Sequence, residues 1–186
     1  DGIYLEFVSH SIIRENSSFM QMRYGLHFMF SNDDLYENNQ FSNNGAGVAV
    51  MYSKNVKMAK NTFIQNIGAS AYGLLLKDIT DSEINHNSFL QNTKGIDMEG
   101  SNRINIEQNI FEDNGWAIAI QASCMDNTIT NNNFVNNSFD VSTNGKVILN
   151  KFDNNYWDKY SGYDLKNDGI GDVPHRPLSL MSTLME

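Results

Sequence analysis

A histidine and a set of methionines carry the most distinctive chemistry in this 186-residue sequence. His27, Met29 and Met51 supply an imidazole and two thioethers, and Met20 and Met22, on the incoming loop, are candidates to join them as ligands. Thioether with imidazole is a soft ligand set that suits Cu(I) better than zinc or calcium. Methionine is also a general gap filler, so the same residues fit packing under a loop or against a partner. A second candidate is the run Asp164-Leu-Lys-Asn-Asp168-Gly-Ile-Gly-Asp172. Asp at positions 1, 5 and 9 with Gly at 6 resembles a calcium loop. Lys166 at position 3 and His175 at position 12 break that pattern, and a turn ordered by Asx hydrogen bonds explains the same residues. A third candidate is Asp97 and Glu99 beside Lys77 and Arg103, carboxylates near cations of the kind used in acid–base work on sugars. Opposite charges on a solvated face also account for them. His10 and His86 sit in polar surroundings and read as surface residues. Cys124 is alone, which excludes an internal disulfide and a cysteine-based zinc site.

A repeat must position these side chains. Asn-x-Phe-x-x-Asn occurs at Asn39, Asn61, Asn87, Asn109, Asn132 and Asn150, with Phe41, Phe63, Phe89, Phe111, Phe134 and Phe152 at its centre. Gly2, Gly25, Gly47, Gly73 and Gly95 each precede an asparagine by one constant offset, and Ala117 fills the glycine slot of the sixth copy. A unit of about 22 residues holds three short strands and three turns. It cannot bury an apolar face alone, so copies must stack. The expected fold is an all-β, right-handed parallel β-helix of about seven coils. A leucine-rich repeat needs a leucine consensus that is missing here, and a propeller needs about 40 residues per unit. Stacked coils bring equivalent residues about 4.8 Å apart. Asparagines then form ladders at turns, where Asn tolerates the left-handed region, and the phenylalanines form a column inside. Ser18 takes the Phe slot of the first coil. The excess before the fourth coil, within Ile67 to Tyr72, is assigned to a surface loop. The seventh coil, Asp140 to Asn155, reads as four residues short.

Strand phase separates inside from outside. Ile3/Leu5, Leu26/Phe28, Val48/Val50, Leu74/Leu76, Ile96/Met98 and Ile118/Ile120 point inward. Tyr4/Glu6, His27/Met29, Ala49/Met51, Leu75/Lys77, Asp97/Glu99 and Ala119/Gln121 point outward. Met29 and Met51 thus share one outward position on adjacent coils. This phase leaves no repeated outward aromatic residues. Residues 1–155 form the coils, and residues 156–186 form a cap and tail. Tyr156, Trp157, Tyr160 and Tyr163 are expected to cover the last open coil. The tail from Leu178 to Glu186 is expected to run on into further sequence. Asp1-Gly2-Ile3 already lies inside a coil, so the chain is read as the C-terminal part of a longer protein.

Composition bounds the function. Apolar content is 40%, which suits a thin solenoid interior. The net charge is −9 with no basic stripe, which argues against a nucleic-acid partner. No apolar run approaches the length of a membrane-spanning helix.

The blocks GLHFMFSNDD (from Gly25), NGAGVAVMYS (from Asn44), AYGLLLKDI (from Ala71), DMEGSNRINIEQN (from Asp97), NGWAIAIQAS (from Asn114), NSFDVSTNG (from Asn137) and NNYWDKYSGYDLKNDGIGDVPHRP (from Asn154) resemble the NosD family. These are periplasmic accessory proteins of nitrous oxide reductase maturation. The resemblance covers most of the chain from Gly25 to Pro177. It implies a right-handed parallel β-helix, a periplasmic location and no catalysis by this chain. It also implies copper delivery to nitrous oxide reductase beside an ABC transporter (NosF ATPase and NosY membrane subunit), with copper received from a chaperone. The sequence departs from the family at Lys166, where an acid is usual, at His175, where Tyr is common, and at Asp97, where an aromatic is usual. The resemblance supplies no ligand assignment, so Cu(I) at His27, Met29 and Met51 rests on strand phase. Two other readings stand beside copper delivery. One is a carbohydrate-active β-helix enzyme, and the other is a docking scaffold that binds no metal.

Overall fold

The computed structural model describes residues 1–144 and 150–178. Short strands joined by sharp corners wind into coils, and each coil contributes one strand to each of three parallel sheets. The second coil shows the pattern: Tyr24–Met29 in the first sheet, Leu35–Glu37 in the second and Gln40–Ser42 in the third. Among the described residues each sheet has seven strands, so the chain is a parallel β-helix of seven coils. The expected phase holds in register. Leu26 and Phe28 face inward above Val48 and Val50, and His27 and Met29 face outward above Ala49 and Met51.

The interior is a set of side-chain columns. Phe41, Phe63, Phe89, Phe111 and Phe134 are fully buried and stack with centroids 4.6–5.6 Å apart. Ser18 stands at the head of this column, in register with Phe41. Glycine at the start of the first five coils follows from the same stacking. A Cβ on Gly73 would sit 2.8 Å from the carbonyl oxygen of Gly95 and 3.2 Å from the Phe89 ring.

The asparagines form ladders, though not through the backbone conformation expected of them. At two of the corners the left-handed residue is the one before the ladder asparagine: Asn38, Lys60, His86, Gln108, Asn131 and Asn154 at one, and Asn43, Gln65, Gln91, Asp113 and Asn136 at the next. The ladder asparagines themselves are inside. The carbonyl oxygen of the Asn87 side chain accepts from the backbone N–H (2.8 Å) and the side-chain amide (3.0 Å) of Asn61. Its own amide donates to the backbone carbonyls of Met58 (2.9 Å) and Asn85 (3.0 Å). The tight bend leaves corner backbone groups facing inward, and buried backbone groups need partners. Asn carries a donor and an acceptor in a fixed plane, so one side chain serves two coils.

The seventh coil corrects the sequence reading. Asn132 donates to Asn155, 23 residues on, and Asn127 donates to Asn150. The last Asn-x-Phe-x-x-Asn is therefore out of register with the others. Phe152 pairs with Ile129 in the second sheet, and Trp157 continues the phenylalanine column, 4.2 Å from Phe134. The coil is of ordinary length.

Beyond Trp157 the chain folds over the last coil. His175 packs on Trp157 at 4.9 Å, and Tyr160 lies within 6.2 Å of His175. Lys159 reaches back to the carbonyl of Asn137 and to buried Asp140, 3.5 Å away, which stands where earlier coils have glycine or alanine. Tyr156 and Tyr163 are exposed and Trp157 belongs to the last coil itself, so of the four aromatics expected to cover that coil Tyr160 does so, together with His175. Leu178 forms a bridge to Val141, and the rest of the expected tail lies outside the described residues.

Removing a mid-ladder amide orphans the groups it served, each worth about 1–3 kcal/mol. Asn87→Ala is expected to lower stability by about 3 kcal/mol, seen as a lower midpoint of urea denaturation. His86→Gly, at the adjacent left-handed position, trades steric relief against chain entropy and is expected to stay within about 1 kcal/mol of the parent.

Candidate functional site

The outward face of the first sheet is a grid with three rows. One row runs Tyr4, His27, Ala49, Leu75, Asp97, Ala119. The next runs Glu6, Met29, Met51, Lys77, Glu99. The third carries Tyr24 in register with Ala46, and Tyr72, whose carbonyl accepts from Gly47. Met29 and Met51 are register partners on adjacent strands, about 4.8 Å apart. His27 lies two residues from Met29 on the same face. The structure thus brings His27, Met29 and Met51 to one patch.

Met20 and Met22 do not join it. Met22 precedes Tyr24 at the opposite edge of the sheet, about 23 Å of extended chain from Met29. Met20 sits at a left-handed corner beyond the third sheet. They are 76% and 97% exposed.

His27 faces outward yet is only 8% exposed, because Tyr4 and Tyr24 close around it with ring centroids at 5.3 and 4.8 Å. Its Nδ1 is 3.6 Å from an Asp1 carboxylate oxygen, long for a hydrogen bond. Its Nε2 is buried and finds no hydrogen-bond partner among the described residues. Burial, then the nearby Arg23 guanidinium, push the imidazole below its ordinary value, and Glu6 opposes them weakly. These outweigh the loose Asp1 contact and leave the ring neutral near pH 7. A neutral imidazole is the form that ligates metal. Met29 and Met51 are half-buried, and Met51 packs with Tyr24 and Leu75 on a small cluster of Ala46, Ala49 and Tyr72. Two thioethers and an unpartnered neutral imidazole fit a soft monovalent cation. Among the described residues no group of three His, Cys, Asp or Glu is placed to hold a metal, so hard divalent ions have no comparable set.

The other candidates come apart. Asp164 accepts from the backbone amides of Asp168 (3.2 Å) and Gly169 (2.9 Å), and Asp168 from Ile170 (2.9 Å). Asp172 accepts from Leu165 (2.7 Å) and pairs with Lys166 at 2.8 Å, which holds its carboxyl below the usual range. Every acid of the calcium-like loop is engaged within the loop, and the lysine supplies the positive charge. Glu99 pairs with Lys77 at 3.1 Å and Asp97 with Lys94 at 2.8 Å, while Arg103 pairs instead with Asp81 around the corner at 2.6 Å.

The expectation of no repeated outward aromatics is also corrected. Phe7, Phe30 and Tyr52 stack along one edge of the face at 5.2 and 5.1 Å. They follow Glu6, Met29 and Met51, where alternation points inward, but each has a left-handed φ that turns the ring out. Tyr72 arrives from the surface loop. The loop residues Ile67 to Ser70 are exposed, and Tyr72 lies against Ala46 and Ala49.

A buried neutral histidine makes stability depend on pH. With a depressed native value, the unfolded chain takes up a proton that the native state declines. Stability is expected to fall as pH drops through the ordinary value of 6.5 and to level off below the native value. His175, depressed by burial in the cap, adds to this slope. His27→Gln is expected to flatten the slope in part, measured as urea midpoint against pH, and the parent His27 ring is expected to titrate by NMR below 6.5.

Among proteins of known sequence, the family described as periplasmic copper-binding protein (NosD) matches residues 1–163. A probable ABC transporter binding protein NosD of Stutzerimonas stutzeri is 30% identical over 152 residues, which is 69% of this chain and 33% of that protein. Its counterpart from Pseudomonas aeruginosa is 34% identical over 79 residues, 39% of this chain and 18% of that protein. The chain therefore spans about a third or less of the length of these relatives. Among solved structures, a mutant of the periplasmic alginate epimerase AlgG shares the fold at 16% identity and a TM-score of 0.71, over 80% of this chain and 38% of that one. The A-module of the Azotobacter vinelandii mannuronan C-5 epimerase AlgE6 does so at 15% identity and 0.65, over 81% of this chain and 50% of that one. These likenesses correct the expectation of a chain without catalysis: the same coil architecture carries enzymes, so the fold gives no ground for excluding one. Among the described residues no helix is long and apolar enough to cross a membrane. By its coil pattern and the match over most of its length, the chain belongs to the NosD family of periplasmic copper-binding proteins.

Proposed function

We propose that this part of the β-helix holds Cu(I) transiently on the outward face of its first sheet. It would do so within a NosD-type protein that works beside an ABC transporter and helps supply copper to nitrous oxide reductase. The observation that carries this reading is the register pairing of Met29 with Met51 beside His27, whose Nε2 is buried and unpartnered. The thioethers and imidazole select a soft cation. Placement on a sheet face, not in a closed cage, suits a cargo that must be released. The names of the relatives support the transporter setting for proteins of this family.

The test is an anaerobic Cu(I) titration against a competing chelator. The parent is expected to bind, and Met29→Ala with Met51→Ala is expected to lose binding while keeping its strand signal in circular dichroism. Equal binding by parent and double variant would rule these thioethers out as ligands.

A second reading is a carbohydrate-active β-helix, favoured by Arg23, Tyr24, His27 and Tyr72 gathering on the same face. The Arg23 guanidinium lies 5.3 Å from the Tyr24 ring centroid, and Tyr24 lies beside His27. Removing a proton next to a uronate carboxylate needs a neutral base, an acid and a cation, and His27, Tyr24 and Arg23 are those types. The fold shared with alginate epimerases gives this reading weight that the residues alone do not. It expects a change in uronate composition, read by proton NMR, when the chain is incubated with a uronic-acid polymer. Tyr24→Phe should abolish that turnover and the Met29/Met51 double variant should spare it. An unchanged polymer would set this reading aside.

A further inference from the structure

The third coil presents two alanines outward, Ala46 and Ala49, where its neighbours present large side chains. Both are buried although they face away from the core, because side chains from the flanking coils lean over them. Tyr24 and Tyr72 stand two coils apart, a separation of about 9.6 Å if both stood upright. Their ring centroids are 6.5 Å apart and nearly parallel, at 21°. The rings therefore close over Ala46 from both sides. Met51 and Leu75 pack on the same cluster, and the Tyr24 ring also covers His27.

Tyr72 reaches this position through the loop that makes the third-to-fourth step 26 residues rather than the usual 22 or 23. The loop is tied down by a hydrogen bond from the Gly68 amide to the Thr93 hydroxyl (3.1 Å) and one from the Ala71 amide to the Gly68 carbonyl (3.1 Å). An outward loop tied to the next coil and closed on itself, with its last aromatic folded back on the sheet, is built to place that aromatic.

We propose that Tyr72, with Tyr24 and the alanine floor, is a specificity-determining roof beside the His27, Met29 and Met51 set, one that favours Cu(I) over Cu(II). The proposal rests on the copper reading above. An apolar cover excludes water and lowers the local dielectric, which penalises a divalent ion more than a monovalent one. It removes the water ligands that Cu(II) would otherwise recruit and leaves thioethers, which suit Cu(I). Packing also fixes the Met51 side chain, so less rotamer freedom is lost on binding. Tyr72 is a positioning residue here and supplies no ligand atom.

The test compares the parent, Tyr72→Ala, Tyr72→Phe, Ala49→Leu and the Met29/Met51 double variant. Each is titrated with Cu(I) under anaerobic chelator competition and with Cu(II) in air. Tyr72→Ala is expected to weaken Cu(I) by about tenfold, the scale for groups that support a metal's ligands, and to narrow the gap between Cu(I) and Cu(II). Tyr72→Phe keeps the ring over the floor and loses only the hydroxyl hydrogen bond with Tyr24, so it should stay closer to the parent than Tyr72→Ala does. Ala49→Leu fills the floor from the solvent side, leaves the core intact and should reproduce the loss even if Tyr72→Ala folds poorly. If neither Tyr72→Ala nor Ala49→Leu changes either affinity while the double variant loses Cu(I), the roof is overturned and the copper reading stands. If the parent itself binds Cu(I) no better than the double variant, both are overturned together.

Discussion

Two corners of this solenoid turn around buried side-chain amides, each serving the backbone of its own coil and of the coils beside it. The corners are tight, so their backbone N–H and C=O groups face into the helix where no water reaches them. Asn39, Asn61, Asn87, Asn109 and Asn132 supply the missing partners at one corner, and Asn44, Asn66, Asn92 and Asn114 do so at another. Each amide is held by the next, so the ladder fixes coil spacing as well as corner shape. The phenylalanine column, the glycine at the start of the first five coils and the register of all three sheets depend on that spacing.

A scaffold fixed in this way leaves its outward positions free to vary without disturbing the core. The third coil shows the consequence. Ala46 and Ala49 point away from the interior, so their small size changes no column inside. It changes what the neighbouring coils do outside, where Tyr24, Tyr72, Met51 and Leu75 converge over the gap. A rigid sheet with side chains at strand spacing thus acquires a partly covered patch by leaving side-chain volume out.

Electrostatics divide the same face. Toward the fourth and fifth coils the cations Lys77 and Lys94 are matched by Glu99 and Asp97. Around His27 the Asp1 carboxylate stands off at 3.6 Å, and the imidazole is held neutral by burial. The paired end behaves as a solvated charged surface, and the unpaired end carries the unused ligand atom. The carboxylates of the Asp164–Asp172 loop are engaged by turn amides and Lys166.

The repeat, the fold class, the inward columns and the pairing of Met29 with Met51 were all legible in the sequence, because a stacked parallel strand has a period of two and a fixed coil length. Those two numbers place a side chain on a face and beside its neighbour above. Other features were decided only by the tertiary structure. The last Asn-x-Phe-x-x-Asn matches the motif yet sits out of register, because hydrogen bonding to the coil above, not motif spelling, sets the pairing, and Asn132 selects Asn155. The left-handed conformation falls one residue before each ladder asparagine, because a buried amide must aim at its neighbours while the residue ahead of it makes the bend. A like bend at the end of the first-sheet strands turned Phe7, Phe30 and Tyr52 outward, against the alternation of their strands. The neutrality of His27, the exclusion of Met20 and Met22, and the arrival of Tyr72 depend on how side chains lean across coils and where a loop returns. Distances of that kind belong to packing between residues far apart in the chain, and no local pattern encodes them.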